Sequence, residues 1–341
     1  MIFFATNRNL LMEGDAFSGF GDEFNYSDPT CEARSQIRVG WINSENEPVI
    51  LDESDSSYSL ERNPPSRRLF NHYRASQRQE GGTRNVLFYI HGYNSDFQKT
   101  VEAAQQLEEL YNVDVLLFSW PSRGDGPDEN PDFLEKAYGV VGYKRDKRRA
   151  KDSADELLRV FKKMATYFAE VRDERCNQKL SLLAFSMGNY VLKKAVGPSS
   201  FEGETSFFDN IILSAPDVNM YDHVNWMHKL KPRGHTFVLF NERDMPLNVS
   251  QKKGGIEQEA RLGCNIPFET LRGTFYLDLT KCFDIGRLHG YVFKRDWCES
   301  APSGNSPIDD IFAPILNGAR PSDSIPGFRS DRCLYTIREE V

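Results

Sequence analysis

The stretch Leu180-Ser-Leu-Leu-Ala-Phe-Ser186-Met-Gly-Asn-Tyr190 runs an apolar strand into a serine, with Ala184 two residues before it and Gly188 two after. Small residues at those two places suit a sharp strand-to-helix turn, where a nucleophile sits in a strained backbone conformation and its neighbours are crowded. The spacing reads as a nucleophile elbow. Its usual form is G-x-S-x-G, and alanine at the first small position keeps the volume while giving up the freedom of glycine. A serine hydroxyl attacks poorly until a base within hydrogen-bond reach takes its proton, so the chemistry implied is covalent, with a histidine behind the serine and an acid behind the histidine. Downstream, Asp217 in Ser214-Ala-Pro-Asp, Asp244 in Asn241-Glu-Arg-Asp and His289 in Arg287-Leu-His-Gly-Tyr291 are the candidates for those parts.

The elements around them alternate short apolar runs with segments of helical period, the pattern of helices packed on a mostly parallel sheet. Met1–Ala5 and Gln36–Ile42 read as paired opening strands, with Pro48–Leu51 continuing the sheet edge. Residues 52–85 turn polar and read as a surface excursion. Asn85–Ile90 is a buried strand. It is followed by His91-Gly-Tyr-Asn-Ser95 and a helix with Phe97, Val101, Ala104, Leu107 and Tyr111 on one face, opened by a Ser95/Gln98 capping box. Val113–Ser119 is the next strand, and a long helix is expected from about Arg145 to Glu170. After the elbow come strands at Asn210–Ser214, His235–Phe240 and Thr274–Leu279. Asp217, Asp244 and His289 each follow one of these three, at the carboxyl edge where open α/β sheets place their sites.

Chain order is therefore Ser, Asp, His, the order of α/β-hydrolases rather than of the chymotrypsin or subtilisin folds. Together with Ala5-Thr-Asn-Arg8, His91-Gly-Tyr-Asn94, Trp120-Pro121, Ala215-Pro-Asp217 and His289-Gly-Tyr291, it makes the chain resemble the α/β-hydrolase superfamily. Within it, the chain is similar to a bacterial branch of α/β-hydrolases of unknown function. The residue before the nucleophile is commonly histidine in that branch, where this chain has Phe185. The resemblance implies an α/β-hydrolase fold, a mostly parallel central sheet of about eight strands flanked by helices. It gives one domain over 1–297, with lid-like segments at 121–142 and 248–271, and an extended tail over 298–341.

The resemblance also implies roles. Ser186 would be the nucleophile, His289 the general base and Asp244 the acid that orients it; Asp217 stays open as the alternative acid, since some relatives carry it one strand earlier. The oxyanion would be met by the backbone N–H groups of Tyr93 and Met187, the latter opening a helix Met187–Val196. His91 is expected to hold its loop through hydrogen bonds. The substrate pocket is expected to draw on His91, Gly92, Asn94, Trp120, Phe185, Asn189 and Met245, with Tyr93, Phe97 and Met187 as further candidates overhanging the carboxyl edge. The activity expected is a serine esterase or lipase-like hydrolase acting on a small-molecule acyl substrate. An acyltransferase on the same fold, or a non-catalytic binding scaffold, is the alternative.

Composition bounds the partners. The chain has 341 residues, 39% hydrophobic and 27% charged, with a formal net charge of -8. An acidic balance disfavours nucleic acid and anionic membranes, which need a basic face. No apolar run approaches the roughly 18–20 residues of a membrane helix, and Met1–Arg8 is too short in apolar residues for a signal peptide. The six cysteines lack metal-like or C-x-x-C spacing and read as free thiols in a reducing compartment, so the cytoplasm is the expected location. With no phosphate loop and no histidine–cysteine cluster, neither a cofactor nor a metal is expected.

Overall fold

The structure is a computed structural model. It describes residues 1–11, 17–26, 36–52, 64–79, 84–124, 133–170, 178–252, 260–282, 285–293, 307–318, 328–329 and 334–336, with backbone alone at 52, 77–79, 133–140, 307–310, 328–329 and 334–336. The chain divides into two compact units: residues 1–108 with 112–178, and 109–111 with 179–341.

The first unit contains β1 (Ile2–Thr6), β2 (Arg8–Leu10), β3 (Phe20–Phe24), β4 (Arg38–Ile42), β5 (Pro48–Asp52), α1 (Pro65–Gln79), β6 (Asn85–Ile90), most of α2 (Phe97–Tyr111), β7 (Val113–Ser119), α3 (Phe133–Asp152) and α4 (Ala154–Glu170). Its sheet runs β6-β7-β1-β4-β5. β1 lies parallel to β7, with Phe4 opposite Leu117, and β6 lies parallel to β7, with Phe88 opposite Leu116. β4 pairs antiparallel with β1 and with β5, as expected of the opening strands and the edge strand. β2 and β3 form a separate antiparallel ribbon. The central strands are buried on both faces, which is why they read as near-continuous apolar runs; Phe4, Leu87, Phe88, Ile90, Val115 and Leu117 are fully buried. α2 buries Phe97, Val101, Ala104 and Leu107 on one stripe.

In the second unit β8 (Leu180–Phe185), β9 (Ile211–Ser214), β10 (Thr236–Phe240), β11 (Thr274–Asp278) and β13 (Leu334–Thr336) run parallel in that order, and β12 (Phe328–Arg329) closes the edge antiparallel to β13. Its helices are α5 (Gly188–Val196), α6 (His223–Met227), α7 (Met245–Ser250) and α8 (Pro307–Leu316). The α/β class, mostly parallel with flanking helices, is thus the one the alternation implied.

Four local expectations are corrected. The N-cap of α2 is Asp96, whose carboxylate accepts the Lys99 N–H at 2.8 Å, and not Ser95. The polar excursion contains α1, opened by Pro65 at a first-turn position where a missing N–H costs nothing. There Tyr73 meets Phe3 edge-on and His72 stacks on Trp41. The long helix begins at Phe133 and is broken at the buried Ser153, whose hydroxyl accepts the Asn7 amide at 3.1 Å. Finally, the tail holds α8, β12 and β13. Phe312, Ile315 and Leu316 are buried, and the last-turn carbonyls of Ile315 and Leu316 accept from Asn210 Nδ2 at 2.7 Å and Ser181 Oγ at 3.2 Å. The first lid-like segment falls partly on residues 125–132 and the second on 253–259, outside the described residues.

Candidate active site

β8 ends at Phe185 and α5 begins at Gly188, so Ser186 and Met187 make the whole turn. Ser186 has φ 51°, in the left-handed region that costs an L-residue roughly 1–2 kcal/mol. Hydrogen bonds on every side hold it there. Its N–H donates to Ser214 O at 3.0 Å, and its carbonyl accepts from the N–H groups of Asp217 and Asn189 at 3.2 and 3.1 Å. Asn189 is fully buried, and its Nδ2 donates to Ala184 O, Ser186 O and Ser214 O at 2.8, 3.1 and 3.2 Å. Asn189 therefore braces the elbow from within and has no surface to line a pocket. Ala184 lies inside β8 without positive φ, so alanine there loses nothing to glycine. α5 starts one residue later than expected, leaving Met187 as its N-cap; among the described residues the Met187 N–H donates to no acceptor.

Ser186, His289 and Asp244 come together within the second unit. His289 Nε2 lies 2.8 Å from Ser186 Oγ and Nδ1 lies 2.8 Å from Asp244 Oδ2. A carboxylate only accepts, so Nδ1 carries the proton and Nε2 presents its lone pair to the serine hydroxyl. Burial pulls the His289 pKa down, but the charge and hydrogen bond of Asp244, with a smaller contribution from Asp217, outweigh it and leave the pKa raised. Asp244 is fully buried. Its Oδ1 caps α7 by accepting the Leu247 N–H at 3.0 Å, which fixes the carboxylate in the plane that its other oxygen needs. Tyr291, also fully buried, donates its hydroxyl to the same Oδ2 that holds His289.

Asp217 is engaged elsewhere. Its Oδ1 lies 3.0 Å from Nε of the buried Arg261 and accepts the Ser250 hydroxyl at 2.9 Å, while both nitrogens of His289 are already taken. Gly263 makes the crowding possible: a Cβ there would stand 2.5 Å from Leu247 Cδ1 and 2.6 Å from the backbone of Ala215 and Pro216. Its N–H donates to Pro216 O and its carbonyl accepts from Asn241 N, both at 3.0 Å, tying the loop after β9 to the loop after β10. Phe185 is half-buried, its ring centroid 5.0 Å from that of His289, and so forms a wall beside the imidazole. Met245, at the start of α7, is 59% exposed.

In the first unit, the turn after β6 is pinned to the loop after β7. His91 is fully buried and stacks on Trp120 at 4.8 Å. Its Nδ1 donates to Gly92 O at 2.9 Å, leaving Nε2 to accept the Trp120 N–H at 3.1 Å, and the indole donates to His91 O at 3.0 Å. Burial, joined by the charge of Arg8, holds the His91 pKa well below the usual histidine range, so it stays neutral. His91, Gly92 and Trp120 are all buried and hold this turn rather than present surface. Tyr93 packs edge-on against Tyr143, and Asn94 takes φ 59°, a conformation asparagine tolerates.

Arg8 was visible in the sequence only as a landmark. It is fully buried and donates to Ser119 Oγ at 2.9 Å, Ser122 O at 2.8 Å, Gly21 O at 3.2 Å and Ser95 O at 2.7 Å. Burial lowers its pKa to about 9, against the pull of Asp96, Asp146 and Asp22, and it remains a cation at neutral pH. Its signal in the sequence was the strand-terminal arginine in Ala5-Thr-Asn-Arg8; that of Tyr291 was the His-Gly-Tyr spacing; the Asp217–Arg261 pair left none.

Among the described residues no group of three or more His, Cys, Asp or Glu side chains is placed to hold a metal ion, and Cys264 and Cys282 are buried. No described helix is long and apolar enough to cross a membrane. A family profile described as alpha/beta hydrolase of unknown function (DUF900) matches residues 71–284, more than half of the chain; the span takes in Ser186, Asp217 and Asp244 and stops short of His289. Neither the curated proteins nor the solved structures gave a match.

Proposed function

The chain belongs to this family of α/β hydrolases, and on that premise we propose that it is a serine hydrolase cleaving a carboxylic ester, or a related thioester or amide, through an acyl-enzyme. The observation that carries the reading is the unbroken relay from Ser186 Oγ through His289 to Asp244, each link 2.8 Å, with the serine held at φ 51° on the end of a parallel strand. In the first half-reaction Ser186 Oγ bonds to the substrate carbonyl carbon as its proton passes to His289 Nε2. The imidazolium, steadied by Asp244, then returns that proton to the leaving alcohol as the ester C–O bond breaks. Water repeats the sequence on the acyl-enzyme and frees the acid. The Met187 N–H, open at the start of α5, is the donor nearest in sequence to the developing oxyanion, and the nine-residue helix behind it adds its N-terminal field. Phe185 and the exposed Met245 would border the acyl group.

Intact-mass analysis after treatment with a fluorophosphonate tests this. The wild type should take one adduct at Ser186, Ser186→Ala none, and His289→Ala should react far more slowly. Absence of an adduct on folded wild-type protein, or its placement on another residue, overturns the proposal.

A further inference from the structure

We infer that Tyr291 is a positioning residue of the Ser186–His289–Asp244 relay, its hydroxyl holding the Asp244 oxygen that holds His289. The inference rests on the hydrolase reading for its catalytic consequence, and on geometry for the contact itself.

Asp244 is fully buried and offers two oxygens. Oδ1 is spent on the α7 cap, and Oδ2 receives both the His289 Nδ1–H and the Tyr291 hydroxyl. A buried tyrosine hydroxyl needs some acceptor, and a structural tyrosine could have used the Gly263 carbonyl, which lies 3.5 Å away. The single phenolic proton goes instead to the charged oxygen, where a hydrogen bond is roughly twice as strong as to a neutral acceptor. His289 and Tyr291 are separated only by Gly290, so one short loop delivers both donors to one atom. Burial and the neighbouring Asp244 charge hold the Tyr291 pKa well above its ordinary value, which makes the phenol a permanent donor and never a base.

Other groups facing this cluster do not compete for the role. Asp217 answers to Arg261 and Ser250. The Cys264 thiol, pushed up to about 12 chiefly by burial, stays neutral. What remains is a division of charge: two donors share Oδ2, and the share taken by Tyr291 is not available to stabilise an imidazolium at His289. Without the hydroxyl, His289 should hold its proton more tightly, and the serine should be activated only at higher pH.

The experiment is the pH profile of kcat/KM on a short-chain nitrophenyl ester for wild type, Tyr291→Phe, and protein carrying 3-fluorotyrosine at position 291, a stronger donor of the same shape. The acidic limb should move up on the order of half a pH unit in Tyr291→Phe and down in the fluorinated protein, with KM unchanged. A merely structural tyrosine would alter the amount of active enzyme and leave the midpoint in place. Coincident limbs in folded variants, or shifts of the same sign in both, overturn the inference. If Tyr291→Phe does not fold, the fluorinated protein decides alone. Titration of the His289 imidazole by NMR reads the same shift without turnover. An inactive wild type with the NMR shift present would therefore sink the hydrolase reading and spare this one, whereas an active wild type with no shift would do the reverse.

Discussion

Asp244 and Asp217 are two buried carboxylates at neighbouring strand ends, and exchanging each for asparagine should separate chemistry from stability. In Asp244→Asn the amide oxygen can still cap α7 through the Leu247 N–H. The NH2 then occupies the place of Oδ2, where it meets two donors, the His289 Nδ1–H and the Tyr291 hydroxyl. The least costly escape is for the imidazole to move its proton to Nε2, which faces Ser186 and can no longer accept from it. A wrong tautomer of this kind costs serine hydrolases about 10³–10⁴ in turnover, equivalent to about 4–5.5 kcal/mol. The fold loses only the partner of a buried donor, about 1–3 kcal/mol. Asp217→Asn does the opposite. It removes the carboxylate charge beside Arg261, which is 1% exposed, and breaking a buried ion pair from one side costs about 3–5 kcal/mol. Ser186 and His289 keep their contacts. Second-order rates of fluorophosphonate labelling, set beside urea unfolding of the same samples, should therefore cross: Asp244→Asn the less destabilised of the two and almost inert, Asp217→Asn the more destabilised and reactive while folded. Near-wild-type labelling in Asp244→Asn together with its loss in folded Asp217→Asn would falsify the assignment and give the acid to Asp217.

The elbow predicts a second dissociation. Ser186→Gly and Ser186→Ala both remove the nucleophile, but only glycine is at ease at φ 51°, so the glycine variant should be the more stable by about 1 kcal/mol in chemical denaturation; equal stabilities would mean the strain is not there. His289 predicts opposed pH trends. Its folded pKa is raised, so its contribution to stability is fully present below the unfolded histidine value and is lost as pH rises through the folded one, while activity, which needs the neutral ring, rises over the same interval. The stability difference between wild type and His289→Asn, measured by urea unfolding from pH 5 to 9, should shrink with pH as kcat/KM climbs; a difference that grew with pH would refute the raised pKa.

Much of the fold was legible because its central strands are buried on both faces. Leu180–Phe185 and Thr236–Phe240 are apolar nearly throughout, and such runs bounded by turn residues announce themselves. What hid was structure whose stability comes from tertiary contacts. α1, Pro65–Gln79, is polar along most of its length and packs Tyr73 and His72 on Phe3 and Trp41 from distant strands. α8 contains Pro314, a residue that argues against a helix when read locally, yet Asn210 and Ser181 take up the carbonyls at its end. The Ser95/Gln98 box failed for a smaller reason: Asp96, one residue on, is an equally good cap and a stronger acceptor.

The site divides along the same line. Ser186, Asp244 and His289 could be singled out in the sequence because the chemistry proposed for them fixes residue type and the fold fixes their order. Residues that only hold others in place obey neither constraint. Asn189 was expected to line the pocket because it follows the elbow at the carboxyl edge, whereas the positive φ of Ser186 leaves carbonyls beneath the turn that need a donor, and the amide is spent there. Arg8 is a harder case: a fully buried guanidinium is so costly that only its geometry explains it, five donors in a fixed fork meeting four oxygens from three separate stretches of the chain. No periodicity or spacing encodes that convergence, because the partners lie 13 to 114 positions away. A candidate constellation can thus be proposed from a sequence well before its supports can. Those supports, here Arg8 for one loop cluster and the Tyr291–Asp244 contact for the other, decide whether the named atoms stand close enough to react.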